Sequence, residues 1–251
     1  MWRDIKRLTI LIIIIISLSS ITSVVLADTL NRIVDIKIPE VTDGFKINSH
    51  VGLIYDRNSG RVIYEKNGHE KYKMASTTKI MTAIVVIENC NMTDVVVVDK
   101  KAAGTGGSRL GLKTNDKVTV NDLLYGLMLE SGNDAAVALA NYTAGSVEEF
   151  AYLMNKKARE LGLENTNFVV PHGLDNDEHY TTAYELAKIT DYALNNEIFR
   201  NIVKTKAYNV NINGKIKQIS NTNELLGNLN GVYGVKTGFT NGARKMSSYC
   251  L

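Results

Sequence analysis

Hydrophobic and polar positions along the 251-residue chain change their spacing from segment to segment, and each spacing predicts an element. His50–Asp56 (HVGLIYD) and Val62–Lys66 (VIYEK) are β-rich runs on either side of Asn58-Ser59-Gly60, which predicts a hairpin. From Thr77 to about Glu88 the apolar residues Ile80, Met81, Ile84 and Ile87 recur at 3.6-residue spacing, which predicts a helix. Val95–Val98 reads as a short buried strand. Three pairs, Thr119 with Asp122, Ser146 with Glu149 and Thr182 with Glu185, have the spacing of capped helix starts. After Ser146, the residues Val147, Phe150, Ala151, Met154, Ala158 and Leu161 share one face, and Gly162 supplies the stop. After Thr182 the helix carries Leu186, Ile189 and Ala193. Tyr208–Asn228 is polar and strand-like, and Gly231–Thr240 is a strand punctuated by glycines. Strands, then helices, then strands predict a sheet covered by a helical cluster.

The first 27 residues follow a different logic. Arg3, Lys6 and Arg7 form a basic start, Leu8–Ile16 is apolar except for Thr9, and Ser17–Ser23 is more polar. Val25 and Ala27 are small enough for signal peptidase, which predicts a signal peptide over 1–27 cleaved after Ala27. The alternative is an uncleaved anchor, because Leu8–Ala27 nearly spans a bilayer. Either way residues 28–251 form an exported body. With 45% hydrophobic residues it can bury one substantial core. Net charge is +3, of which the first 27 residues hold +2. A nearly neutral body gives no electrostatic reason to expect a nucleic-acid partner. Cys90 and Cys250 are too few for a disulfide framework, and a bridge or two thiols both stay open.

Three short motifs carry chemistry. Ser76-Thr77-Thr78-Lys79 (S-x-x-K) sits where a loop enters the Ile80–Ile87 helix, with serine and lysine one turn apart. A serine hydroxyl needs a base to become a nucleophile, and a lysine stripped of its charge by burial can serve. Ser131-Gly132-Asn133 (S-x-N) offers a proton-relaying hydroxyl and an amide that can hold a peptide. Lys236-Thr237-Gly238 (K-T-G) offers two groups that bind a carboxylate and a glycine that admits a substrate backbone. Alone, each reads better as a capped turn, a solvated lysine or a strand bulge. Together, once each and in this order, they match the signature shared by class A β-lactamases and penicillin-binding proteins.

MASTTKIMTA, GSRLGL, LLYGLMLESGNDAAVALA, NTNFVVPHGLD, HYTTA and GVKTGFTNGA resemble the low-molecular-mass D-alanyl-D-alanine carboxypeptidases from about residue 46 to 243. The resemblance implies an α+β fold of the β-lactamase/transpeptidase type, an antiparallel sheet covered by a helical cluster. It implies a penicillin-sensitive serine enzyme that removes the terminal D-alanine from peptidoglycan stem pentapeptides through an acyl-enzyme, without cofactor or metal. Its roles carry over as follows: Ser76 is acylated and Lys79 is the general base. Ser131 helps protonate the leaving D-alanine and Asn133 holds the substrate. Lys236 and Thr237 bind the terminal carboxylate beside Gly238, and the backbone N–H groups of Ser76 and Phe239 form the oxyanion hole. The partners implied are the stem peptide and β-lactams, with membrane contact confined to the signal segment or a missing C-terminal anchor. A β-lactamase is the competing enzyme, disfavoured by glycine in Ser131-Gly132-Asn133. After Thr240 the resemblance fails, which predicts a truncated catalytic domain lacking its last strands and closing helix, or an inactive peptidoglycan-binding fragment.

Three other clusters are set aside. His172, Asp175, Asp177 and His179 lie close enough for a metal site but belong to family segments without a metal role. Gly104–Gly107 lacks the Lys-Ser/Thr of a phosphate loop and reads as a loop at the active-site rim. Glu164, Asn165 and Asn167 read as a turn after a helix.

Overall fold

The structure is a computed structural model and describes residues 47–240 and 242–250. The signal segment predicted over 1–27 lies outside the described residues. Among the described residues no helix is long and apolar enough to cross a membrane.

The chain opens with the expected hairpin, β1 (Gly52–Asp56) against β2 (Arg61–Lys66). Gly60 closes its turn at φ 70, in the left-handed region that glycine enters without a Cβ clash. A 3-10 turn, Ala75–Thr78, leads into α1 (Lys79–Asn89). Helix α1 is buried all round from Lys79 to Val86, not along one stripe as its spacing predicted. The reason is its place at the centre of the helical cluster. It packs against α3 (Val120–Leu129), α4 (Asn133–Ala144), α5 (Val147–Glu160), α6 (Ala183–Leu194) and α7 (Glu197–Val203). All three predicted caps form. Thr119, Ser146 and Thr182 accept from the backbone N–H groups of Asp122, Glu149 and Glu185 at 3.0–3.1 Å. Glu185 departs from the capping-box geometry, however. Its carboxylate accepts from the Glu164 and Asn165 N–H groups and the Thr166 hydroxyl, tying down the turn after α5.

Among the described residues the strands pair as four antiparallel ladders. β3 (Val95–Val97) pairs with β4 (Lys117–Thr119), with the short helix α2 (Lys100–Ala103) between them. The buried strand predicted over Val95–Val98 is corrected in part: Val96 and Val98 are buried, but Val95 and Val97 are each 56% exposed, because one face of β3 has no cover. β5 (Ala207–Ile212) and β6 (Lys215–Ser220) form a hairpin whose turn, Asn213-Gly214, has both φ values positive. β7 (Gly234–Thr240) pairs over its full length with β8 (Arg244–Cys250). Sequence reading expected the last strands to be missing after Thr240; one strand, β8, does follow and pairs with β7. The two thiols have separate hydroxyl partners, Thr143 Oγ1 at 3.2 Å from Cys90 and Tyr233 Oη at 2.8 Å from Cys250.

Candidate active site

Ser76 sits inside the 3-10 turn, and α1 begins at Lys79, two residues later than its spacing predicted. At three residues per turn, side chains at i and i+3 stand one above the other. Lys79 Nζ accordingly lies 3.0 Å from Ser76 Oγ. Lys79 is fully buried and reaches two more oxygens, Asn133 Oδ1 at 2.7 Å and the His172 carbonyl at 2.6 Å. Burial pushes its ammonium well below the usual range, the charge of Lys236 pushes the same way, and Asp134 opposes both. A neutral amine has two N–H donors and one lone pair. The two donors are matched by two oxygens that accept, which leaves the lone pair for the Ser76 hydroxyl proton.

Asn133 opens α4, and its amide orientation is fixed. Nδ2 donates to the Gly106 carbonyl at 2.8 Å, which can only accept, so Oδ1 faces Lys79. Ser131, two residues earlier, adopts φ 59. Its hydroxyl oxygen is buried and has no hydrogen-bond partner among the described residues. The S-x-N turn is anchored by a residue that sequence reading missed. The Asp134 carboxylate, fully buried, accepts from the N–H groups of Leu110, Gly111 and Leu112 at 2.8–3.0 Å. It thereby fixes the loop from Gly104 to Leu112 over the turn, and Lys217 of β6 adds a bond to the Leu110 carbonyl at 2.6 Å.

The third motif comes in on β7, which runs alongside the 3-10 turn. A Cβ on Gly238 would lie 2.9 Å from Ser76 N, closer than a side chain tolerates, and a tight 3.3 Å from Thr77 N. Only glycine lets β7 pass this near to the Ser76 N–H. Thr237 Oγ1 lies 3.2 Å from Thr222 Oγ1, and the Phe239 side chain is 69% exposed. Lys236 is 1% exposed and donates to the Thr237 carbonyl at 2.7 Å. Burial pushes its ammonium down to about 7. Burial thus lowers both amines from the ordinary lysine range, and the charge of Lys236 lowers Lys79 further. The Ser76 hydroxyl, the Lys79 amine, the Asn133 amide and the Lys236 amine are therefore brought together from three distant stretches of sequence.

The residues set aside as a metal cluster have other partners. Asp177 pairs with Lys73 at 2.8 Å. Asp175 accepts from the Thr240 hydroxyl and the Gly242 N–H. His172 contributes its carbonyl to Lys79, while its ring accepts from Leu174 N at 3.1 Å. The Gly104–Gly107 loop meets the site where Asn133 Nδ2 donates to the Gly106 carbonyl.

Comparison with known proteins agrees with this geometry. A model of the D-alanyl-D-alanine carboxypeptidase family matches residues 37–248, beyond the 46–243 legible by resemblance. The chain is 40% identical over 205 residues to D-alanyl-D-alanine carboxypeptidase DacF of Bacillus subtilis, covering 79% of this chain and 52% of that protein. It is 41% identical over 218 residues to a D-alanyl-D-alanine carboxypeptidase of Streptomyces strain K15, covering 80% of this chain and 74% of that one. The crystal structure of the Streptomyces K15 DD-transpeptidase superposes with a TM-score of 0.76 at 38% identity, covering 81% of this chain and 85% of that chain. The chain spans about half the length of several curated relatives it matches.

Proposed function

The chain belongs to the D-alanyl-D-alanine carboxypeptidase family, and on that premise we propose that it is a serine D,D-carboxypeptidase acting on peptidoglycan stem pentapeptides. One observation carries this reading. Lys79 is buried with its two donors taken up by His172 O and Asn133 Oδ1, and Ser76 Oγ lies within 3.0 Å of its nitrogen. In the proposed reaction Ser76 Oγ attacks the carbonyl carbon of the penultimate D-alanine while Lys79 Nζ takes its proton. The N–H groups of Ser76 and Phe239 receive the developing oxyanion. The peptide C–N bond then breaks, and the leaving nitrogen receives the proton by way of the Ser131 hydroxyl. Water attacks the ester at Ser76, with Lys79 again as base, and frees the shortened peptide. Lys236 and Thr237 hold the terminal carboxylate, and Asn133 holds the peptide backbone.

β-Lactams, whose strained amide acylates the same serine, act as inhibitors in this reading. Peptidoglycan lies outside the cytoplasmic membrane, so residues 1–27 act as an export signal and residues 28–251 carry the catalytic domain. The test is D-alanine release from a pentapeptide ending in D-Ala-D-Ala. The wild-type chain releases it and the Ser76→Ala chain does not. Equal release by both would remove Ser76 from the mechanism. The likeness to a solved DD-transpeptidase favours a second fate for the same acyl-enzyme, transfer to an amine. Adding an amine acceptor and measuring how product divides between hydrolysis and transfer separates the two.

A further inference from the structure

The 3-10 turn that carries Ser76 is entered through a residue in an unfavourable conformation. Ala75 has φ 43, a region that alanine occupies only where its surroundings hold it there. The Ala75 carbonyl has two kinds of support. From one side the chain at Gly173 presses against it, so close that a Cβ on Gly173 would lie 1.8 Å from Ala75 O. From the other, the Thr78 hydroxyl donates to it at 2.7 Å. Thr78 Oγ1 in turn lies 2.8 Å from His179 Nε2.

The direction of this chain of hydrogen bonds follows from its far end. Val169 N–H donates to His179 Nδ1 at 3.0 Å, so that nitrogen carries no proton. The ring is 2% exposed, with Phe168 edge-on to it, and burial first and the Lys79 charge second push it down to about 4. It is therefore neutral near pH 7, with its single proton on Nε2. Nε2–H donates to Thr78 Oγ1, and the Thr78 proton is left for the Ala75 carbonyl. Val169 N–H, His179, Thr78 and Ala75 O form one line with every proton assigned. At its end lies the Ala75–Ser76 peptide, whose nitrogen lies against β7 at Gly238.

Resting on the reading of Ser76 as the acylated serine, we propose that His179 and Thr78 are positioning residues for the oxyanion corner. They lock the Ala75–Ser76 peptide in the left-handed turn that sets the Ser76 nitrogen against β7. The histidine touches no reacting atom. It acts through Thr78, and its tautomer is what the chain requires.

The role predicts a pattern of variants that loss of packing would not produce. Removing one oxyanion donor outright costs about 10²–10³-fold in turnover. Misplacing one through His179→Leu is expected to slow the acylation step of benzylpenicillin by ~10–100-fold, while the preceding binding constant stays within a few-fold. Gln can accept from Val169 N–H through Oε1 and donate to Thr78 through its NH₂, so His179→Gln is expected to recover most of the rate. Thr78→Val should lose as much as His179→Leu, Thr78→Ser should keep the rate, and the double variant His179→Leu/Thr78→Val should be little worse than either single one. If His179→Leu does not fold, the Thr78→Val and Thr78→Ser pair decides by the same criterion. Acylation by His179→Leu at the wild-type rate overturns the proposal. So do a Gln variant no better than Leu, or Thr78→Ser as slow as Thr78→Val. A wild-type chain that forms no adduct on Ser76 overturns the proposed function and this role with it. Adduct formation indifferent to these variants overturns this role alone.

Discussion

Replacing Lys236 with methionine should stabilise the fold while damaging the binding of a carboxylate. Lys236 is 1% exposed, and its hydrogen bond to the Thr237 carbonyl at 2.7 Å does not make up for the lost hydration. An amine that holds its proton to 10.5 in the unfolded chain holds it only to about 7 in the fold. Each tenfold change corresponds to about 1.4 kcal/mol, so the charged amine costs the native state up to ~5 kcal/mol. The sign follows from proton counts. Below pH 7 both states carry the proton and the cost is complete. Between about 7 and 10.5 the unfolded chain binds more protons than the native one, so stability rises with pH. Above 10.5 the cost is gone. Urea unfolding of wild-type and Lys236→Met chains at intervals from pH 6.5 to 10.5 measures this directly. The variant should be more stable by several kcal/mol at pH 6.5, less about 1 kcal/mol for the lost hydrogen bond. That advantage should shrink by ~4–5 kcal/mol by pH 10.5. Lys79 contributes a slope of the same sign in both chains, and the difference between the two curves removes most of it. A constant difference across the range would mean that Lys236 keeps an ordinary ammonium, and the reasoning from burial would fail.

Lys79→Ala should abolish acylation by penicillin while leaving its initial reversible binding within a few-fold, as stopped-flow kinetics can resolve. Because Lys236 is charged only below about 7 in the free protein, KM for a peptide with a free C-terminal carboxylate should rise as pH climbs past 7, and KM for the C-terminal amide should not. Asp134→Ala should cost about 3–5 kcal/mol in urea unfolding, since three backbone N–H groups of the Leu110–Leu112 segment lose a buried carboxylate. A loss below 1 kcal/mol would mean that water satisfies them.

The parts of the molecule that sequence reading reached are those whose physics is local. Thr119, Ser146 and Thr182 cap helices because a hydroxyl and an N–H three residues on are neighbours in any chain that turns. The first hairpin and the S-x-x-K spacing were legible for the same reason. Missed were residues whose partners are distant. Asp134 binds a loop 22–24 residues earlier through backbone N–H groups, which leave no side-chain pattern to read. His179 reaches Thr78 across 101 residues, and its signal was only proximity to His172, which pointed toward a metal instead. Arg244–Cys250 alternates too weakly to announce a strand and becomes one by pairing with β7. That burial would lower Lys79 could be argued from chemistry, but its complete burial and the nearby charge of Lys236 needed the fold.

The central claim is that Ser76 is the nucleophile and Lys79 its base. Mass spectrometry of the chain after incubation with benzylpenicillin, followed by proteolytic mapping, tests it most directly. The account predicts a stoichiometric adduct on the peptide containing Ser76, absent from Ser76→Ala and from Lys79→Ala. An adduct on Ser131, or one that survives Ser76→Ala, would contradict it.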